Sequence, residues 1–514
     1  MSVASRVGPA PGPAEGTRLD VNLLASLFGQ AVSALAQLGF IPLYVRILGI
    51  EAYGLVGFYA TLQGLLMVLD LGLSSTINRE LARRSARPGT AGDARDLVRT
   101  LEVAYWAVGL LIGLALIAAA PLAARHWVRP VGIATAEVEA VLRIMAVALV
   151  LNWPITLYQG GLLGLQRQRT LNVLRALMSL IAWGGAAVVL RVGSPTLRAF
   201  FGWQIVAGAA YVALLALALW RALPAADHPP RPRPALIRAT SRFAAGMGAL
   251  TVSGLVLSQI DKVVLSRVLD LAGFGYYMLA AVLANGLYVL INPVHNALFP
   301  RFSALAARED AGALAATYHW GTQVMAVLIV PAALVLALFP FEFVLLWTGS
   351  VETAGRTAPL LRLLAVGTGI NGLMHVPYGL QLAHGWTRIG LAINAGLIAC
   401  VVPALFFAVA RQGATGAAAV WAGLNALYAI VGVPWTHARL LRGQAGRWLV
   451  ADVLPPLGAA AVAAGACRWL FAGAPTRGQA LAALVAAAAL SLAAAAAAAP
   501  EVRRWVLTRA LPHA

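Results

Sequence analysis

Val45-Arg46-Ile47-Leu48-Gly49, with Tyr53-Gly54 after it, returns about 222 residues later as Ser266-Arg267-Val268-Leu269-Asp270, with Phe274-Gly275 after it. Further on, Pro154 and Asn172 are answered by Pro377 and Asn394 at nearly the same offset. Each match is short, but a shared offset marks an internal duplication. Every copy lies among long apolar runs, and duplicated helical bundles in a membrane are built that way for transport.

The chain is 61% hydrophobic and 11% charged, with a mean hydropathy of +0.80. Soluble proteins carry roughly 45–50% apolar and about 25% charged residues, so this is a membrane protein. Runs of membrane-spanning length fall at 21–43, 54–78, 101–122, 139–163, 171–190, 199–220, 243–266, 274–298, 319–340, 358–381, 389–410, 415–436, 450–471 and 478–499. The reading is an all-α polytopic membrane protein of about 14 transmembrane helices, with twelve or thirteen as the alternative count. Six runs separate the two copies of the repeat. An even number sends both copies through the membrane in the same direction, giving two six-helix bundles related by a pseudo-twofold along the membrane normal, plus two C-terminal helices. The expected segments are a disordered tail (1–20), a first bundle (21–221), a linker (222–242), a second bundle (243–437), the two extra helices (438–499) and a tail (500–514).

The formal charge of +19 is a topology signal rather than a nucleic-acid footprint. Arg79, Arg83, Arg84, Arg87, Arg95 and Arg99 follow the second run, Arg167 and Arg169 the fourth, and Arg221, Arg231, Arg233, Arg238 and Arg242 the sixth. Arg301 and Arg308, Arg439, Arg442 and Arg447, and Arg503, Arg504 and Arg509 continue the alternation. That places about 25 basic residues on one side and about 11 on the other, so both termini are expected in the cytoplasm, with some attraction to anionic lipid. Residues 1–20 lack the layout of a cleaved signal peptide. Cys400 and Cys467 fall inside apolar runs and suggest neither disulfide nor metal. Lys262 is the one lysine, and with the heavy Ala and Gly usage this suggests a GC-rich bacterial genome.

A P-loop ends Gly-Lys-Ser/Thr, and Lys262 follows Asp261, so no nucleotide loop is present. There is no Asp-x-Asp pair, no His-Glu-x-x-His and no Gly-x-Ser-x-Gly, and no extramembrane stretch is large enough for a soluble catalytic domain. An enzyme is not expected, and neither is a cofactor or a metal. The stretch Pro229-Pro230-Arg231-Pro232-Arg233-Pro234 reads as a stiff linker between the bundles.

Polar groups inside the runs are the candidate site. Asn22, Ser26, Gln30, Ser33 and Gln37 share one helix face, and Gln63, Asp70, Ser74 and Asn78 do the same in the second run. These stripes are expected to line a cavity; the alternative is hydrogen bonding between packed helices. A carboxylate at membrane depth costs about 2.5–3.5 kcal/mol, so Asp70 is expected to face a cleft or pair with Arg79. A purely structural cap or ion pair is the competing reading. Asp261 and Lys262 point about 100° apart on a helix and need not neutralise each other, while Lys262 and Ser258 share a face; snorkelling to the interface is the alternative. Arg46, Arg143 and Arg267 lie near the outer ends of their runs. Brought together, they would form a cationic patch for phosphate or pyrophosphate. His295 and His375 are either titrating groups or packing residues.

Arg46-Ile47-Leu48-Gly49 with Tyr53-Gly54, then Leu69-Asp70-Leu71-Gly72-Leu73 and Arg79, resembles the amino-terminal signature of Wzx-type polysaccharide-export flippases of the multidrug/oligosaccharidyl-lipid/polysaccharide exporter superfamily. Gln259-Ile260-Asp261-Lys262-Val263-Val264-Leu265, followed by Gly275-Tyr276-Tyr277 and Phe299-Pro300-Arg301, resembles the start of that family's second half. The resemblance spans roughly residues 20–440. It implies two facing six-helix bundles in the bacterial inner membrane that move polyprenyl-pyrophosphate-linked oligosaccharide units toward the periplasm, for O-antigen, capsule or exopolysaccharide. Membrane lipids, a polysaccharide polymerase and glycosyltransferases are the implied partners. The alternatives are a cation-coupled multidrug antiporter and a lipid II flippase. Drug-extruding relatives carry an acid inside the first span, where this chain has only Asp20 at its mouth. The lipid II branch clusters arginines in its first helices, which this chain does not.

Overall fold

The computed structural model describes residues 32–70, 72–85, 87, 89–471 and 476–510, with side chains throughout except at 68–69, 237–251, 387–390 and 507–510. Asn22, Ser26, Gln30 and the expected 1–20 tail lie outside the described residues. The first half holds α1 (Val32–Leu48), α2 (Ile50–Leu69), α3 (Leu73–Ser85), α4 (Ala91–Leu122), α5 (Thr135–Asn152), α6 (Ile155–Gly164), α7 (Gln168–Val188) and α8 (Leu197–Ala222). The second holds α9 (Pro234–Val268), α10 (Leu271–Asn285), α11 (Tyr288–Ala307), α12 (Ala311–Leu338), α13 (Pro340–Thr348), α14 (Val351–Ala383) and α15 (Thr387–Leu440). After them come α16 (Ala445–Arg447), α17 (Leu454–Leu470), α18 (Arg477–Ala498) and α19 (Pro500–Ala510). No strand occurs among the described residues.

Nine helices among the described residues are long and apolar enough to cross a membrane. They cover ten of the fourteen apolar runs, because α15 joins the eleventh and twelfth across a kink at Gly413, whose φ of +55° glycine tolerates. The other four runs depart from that standard for visible reasons. In the first, α1 is described only from Val32. The second is broken between α2 and α3, where Gly72 takes φ +78°. In the seventh, the side chains of α9 are described only from Val252, and the tenth lies in α14, which carries charged and amide side chains. Leu111 and Leu114 on α4 point outward, as suits a helix in hydrocarbon.

Within the first half, α4 packs on α5, α8 on both α5 and α7, and α3 on α6. Within the second, α14 contacts α10, α11, α12 and α15, and α15 also packs on α9. The linker is fixed to the start of α4. Asp96, fully buried, accepts the Arg231 amide at 2.8 Å and lies 2.8 Å from Arg233 Nε, while Thr100 accepts the Arg233 amide.

The halves meet at the end of the molecule that carries the repeat. The two copies start their second helix differently: Gly49 turns the chain through φ +85° into α2, whereas Asp270 caps α10 by accepting the Gly273 amide at 2.7 Å. Both then present a glycine to the other copy. A methyl group on Gly54 would lie 2.1 Å from Leu271 O, and one on Gly275 would lie 2.4 Å from Ile50 O. The remaining contacts are reciprocal. Trp127, after α4, donates to Ser266 Oγ on α9 at 3.0 Å, and Trp347, on α13, donates to Leu38 O on α1 at 2.9 Å. Arg46 Nε reaches Thr348 O at 2.9 Å, and Arg267 lies over the Trp127 ring at 5.6 Å. Arg129 and Leu271 add two backbone-directed bonds across the junction.

The last two helices form a hairpin against the second half, with α17 on α18 and both on α12. The sequence shows few polar groups here, yet a buried network does the holding. Asp452 is bonded by His319, and by Gln323 at 2.8 Å; His319 also contacts Gln444, and Gln323 accepts the Glu501 amide. Arg468 on α17 pairs with Glu342 on α13.

Because the two glycines leave no room for a side chain, Gly54→Ala is expected to cost about 1–3 kcal/mol by overpacking. It should lower the thermal midpoint and separate the Arg46–Arg267 ends, which distance measurements between spin labels on α2 and α10 would show.

Candidate functional site

Each half contains a polar cavity walled by its own helices. In the first half, α1 supplies Gln37, α2 Tyr59 and Gln63, α5 Asn152, and α8 Gln204 and Tyr211, around a space of about 240 Å³. Asn152 and Gln63 both donate to the Tyr59 hydroxyl, at 3.1 and 3.2 Å. Gly208 leaves space for the Asn152 amide, which would lie 2.6 Å from a methyl there. The structure thus brings Gln37 and Gln63, one from each polar stripe, to one cavity; Ser33 and Asn78 are not among its lining residues.

The second half has two adjoining cavities, of about 300 and 310 Å³, that share Ser258, Tyr288 and Trp421. A chain of amides crosses them. Tyr288 donates to Asn371 Oδ1 at 2.8 Å, Asn371 to Asn425 Oδ1 at 2.8 Å, and Asn425 to Trp421 O at 2.8 Å. Trp421 Nε1 donates to Thr368, and Asn394 to Ser253 Oγ at 3.0 Å. His375 lines one cavity, with Nδ1 on Asn371 O at 2.9 Å and its ring against that of His295. Sequence reading reached Asn394 only as a repeat match and missed Asn371, Gln381, Trp421, Asn425 and Tyr288. Isolated amides in apolar runs were the available signal, and their convergence from α11, α14 and α15 is not written in any one of them.

Asp261 and Lys262 line the second of these cavities. They neutralise each other at 3.2 Å despite their 100° separation, because the long lysine chain folds back while donating to Ser258 O at 2.6 Å. Tyr277 donates to the other Asp261 oxygen at 2.5 Å. Both charges are largely buried, a setting in which a lost partner is costly.

Of the remaining expected site residues, Asp70 follows the competing reading of a structural cap, without Arg79, and Arg143 does not join the other outer arginines. Among the described residues Asp70 pairs with no arginine; its Oδ2 accepts Ser74 Oγ at 2.8 Å and the Ser74 amide at 3.3 Å, and its Oδ1 accepts Tyr105 and Thr156. It is a helix-start cap buried inside the first half, and it breaks the second run because those bonds satisfy the amide end of α3. Arg79 contacts Glu80, its sequence neighbour, at 3.4 Å. Arg143 pairs with Glu139 one turn back on α5 at 2.7 Å and does not join Arg46 and Arg267. Those two are engaged across the junction between halves, each with a different partner, so no three-arginine phosphate patch forms.

The sequence profile of a family described as "Polysaccharide biosynthesis protein" matches residues 21–306. A protein of Shigella flexneri named "Putative O-antigen transporter" is 20% identical over 422 residues, 82% of this chain and 97% of that protein. Among solved structures, the lipid II flippase MurJ in an inward closed conformation superposes with a TM-score of 0.70 at 10% identity, covering 96% of this chain and 100% of that one. An inward-facing multidrug resistance MATE family transporter of the MOP superfamily gives 0.66 at 16% identity, over 82% and 98%. At these identities the structural likeness establishes the fold alone, an all-helical architecture of many apolar helices.

Asp70→Ala is expected to cost about 1 kcal/mol for the lost cap, plus about 1–3 kcal/mol for the stranded Tyr105 hydroxyl. Thermal unfolding of purified protein measures this, and Asp70→Asn should recover most of it. From its sequence profile, its repeat and its helical architecture, the chain belongs to the polysaccharide biosynthesis protein family.

Proposed function

We propose that this protein moves a polyprenyl-pyrophosphate-linked oligosaccharide across the bacterial inner membrane by alternating access. The observation that carries the reading is the lining of the cavities. Both halves offer amides and aromatic rings, with a single neutralised charge pair in the second. Hydroxyl groups of a sugar both donate and accept, and so do carboxamides; the flat faces of Trp and Tyr suit the apolar faces of sugar rings. A transporter of lipophilic cations calls for an unpaired acid facing the cavity, and here Asp261 has Lys262 while Asp70 is a cap. Membership of the family and the O-antigen transporter named for the Shigella relative support the same direction.

The mechanism follows from two features. The Arg46–Arg267 end is closed by backbone contact, so the sugar headgroup enters from the linker end, which the arginine bias assigns to the cytoplasm together with both termini. The polyprenyl chain stays in lipid. Among the described residues Lys262 is the cation lining these cavities, and it leaves Asp261 for the pyrophosphate when the headgroup binds. Opening of the Gly54–Gly275 contact then presents the headgroup to the periplasm.

Headgroup exposure in cells, read by a membrane-impermeant lectin, tests this. Trp421→Ala and Asn371→Leu should each lower translocation by about tenfold, the effect of about 1.4 kcal/mol. Lys262→Gln should abolish it, while Asp261→Asn, which frees Lys262 from its partner, should retain it. Normal translocation in all four variants, or resistance to cationic drugs conferred by the wild-type chain, would overturn the reading in favour of drug efflux.

A further inference from the structure

A third kind of cavity lies away from the polar ones. At the Arg46–Arg267 end, α2, the last turns of α4 and α5 in the first half and α9 in the second enclose a groove of about 580 Å³. Its walls are apolar, with Leu62, Leu116, Leu149 and Val263 among them, and among the described residues no Asn, Gln, Asp or Glu lines it. The Thr61 and Ser266 hydroxyls in the wall already donate to Gly57 O and Val263 O. The charge sits at the rim: Arg267 and His126 line the mouth and are exposed, and Arg125 and Arg129 are exposed beside them. Trp127 stands at the same level, and Trp and Arg at a helix end mark the depth of lipid headgroups.

The matching place in the other half is filled by the chain itself. There α13 follows α12, Trp347 reaches Leu38 O, and Phe339 is buried with Cys467 and Ala487 of the final hairpin. Pro42 and Leu283, which the repeat matches to Val263 and Leu62, are buried, whereas Val263 and Leu62 stay partly open. Among the described residues nothing covers the groove of the first half.

We infer that this groove holds one anionic phospholipid of the surrounding membrane, its acyl chain between α4 and α9 and its phosphate on Arg267 and His126. The apolar wall takes the chain, and an arginine fork takes the phosphate. The absence of carboxamides separates this site from the sugar-compatible cavities, so its occupant carries a phosphate and no glycan. Such a lipid touches both halves at once and therefore favours the arrangement in which the Arg46–Arg267 end is closed. The inference does not depend on the glycolipid reading, because the test reads lipid binding rather than transport.

The full-length protein in nanodiscs is labelled with phosphatidylglycerol carrying a diazirine in its acyl chain, and the labelled peptides are identified by mass spectrometry. Labelling is expected within 116–127 and 263–267, at least about fivefold above that by the matched phosphatidylcholine probe. Arg267→Gln should remove most of that preference, and Ala119→Trp, a change at an exposed wall residue, should block labelling without shifting the melting temperature. Equal labelling by both headgroups would overturn the inference, since it would describe ordinary lipid contact. Labelling unaffected by Ala119→Trp would also overturn it. So would displacement of the probe by equimolar undecaprenyl phosphate, which would give the groove to a polyprenyl chain.

Discussion

The rest of the structure hangs on the contact of two backbones at Gly54 and Gly275. A side chain at either glycine would collide with a carbonyl of the opposite repeat, so the halves approach there as closely as two helices can. In a bilayer such close approach replaces the hydrophobic effect as the source of helix association, because lipid is as apolar as the side chains it competes with. The tryptophans and arginines around it hold the junction with directional bonds. Trp127 and Trp347 each reach into the other half, as do Arg46 and Arg267. A junction made of backbone contact and a few hydrogen bonds can part as a unit, which suits a transporter whose halves must rock.

The two halves are alike in plan and different in detail. Both hold amide-lined spaces, but the second also carries the charge pair of Asp261 and Lys262 and the extra hairpin α17–α18. That hairpin is fixed by a fully buried carboxylate, Asp452, bonded to His319 and Gln323. Removing a partner from such a network is costly even though the whole adds little to stability. Covering the second half at α12 and α13 leaves the first half as the side with an open groove.

Much of the architecture was legible in the chain. Ten of the fourteen apolar runs lie in helices long and apolar enough to cross a membrane, and the kink at Gly413 falls between the eleventh and twelfth. Gln37 and Gln63, one from each polar stripe, line the same cavity. Asp70 read as a membrane charge in need of a partner, and the partners are Ser74, Tyr105 and Thr156 rather than Arg79. Hydrogen-bond donors from three helices are invisible to a spacing argument, whereas an arginine nine residues on is conspicuous. Asn371 and Asn425 were overlooked for the converse reason: neither belongs to a stripe, and their bond joins helices 54 residues apart in the chain.

Sequence by itself determined that this is a duplicated, all-helical membrane protein. Apolar length and repeat spacing are properties of the chain that survive any packing. Only the tertiary structure decided which charges are free, which are caps and which close the junction. The physical reason is that a helix in lipid is apolar on its outer and inner faces alike, so its sequence carries little record of its rotation about its axis. Arg46 and Arg267 stand at the ends of α1 and α9 and Arg143 in the middle of α5; Arg46 binds a carbonyl across the junction, Arg143 pairs on its own helix, and Arg267 rests on Trp127 at the rim of a groove.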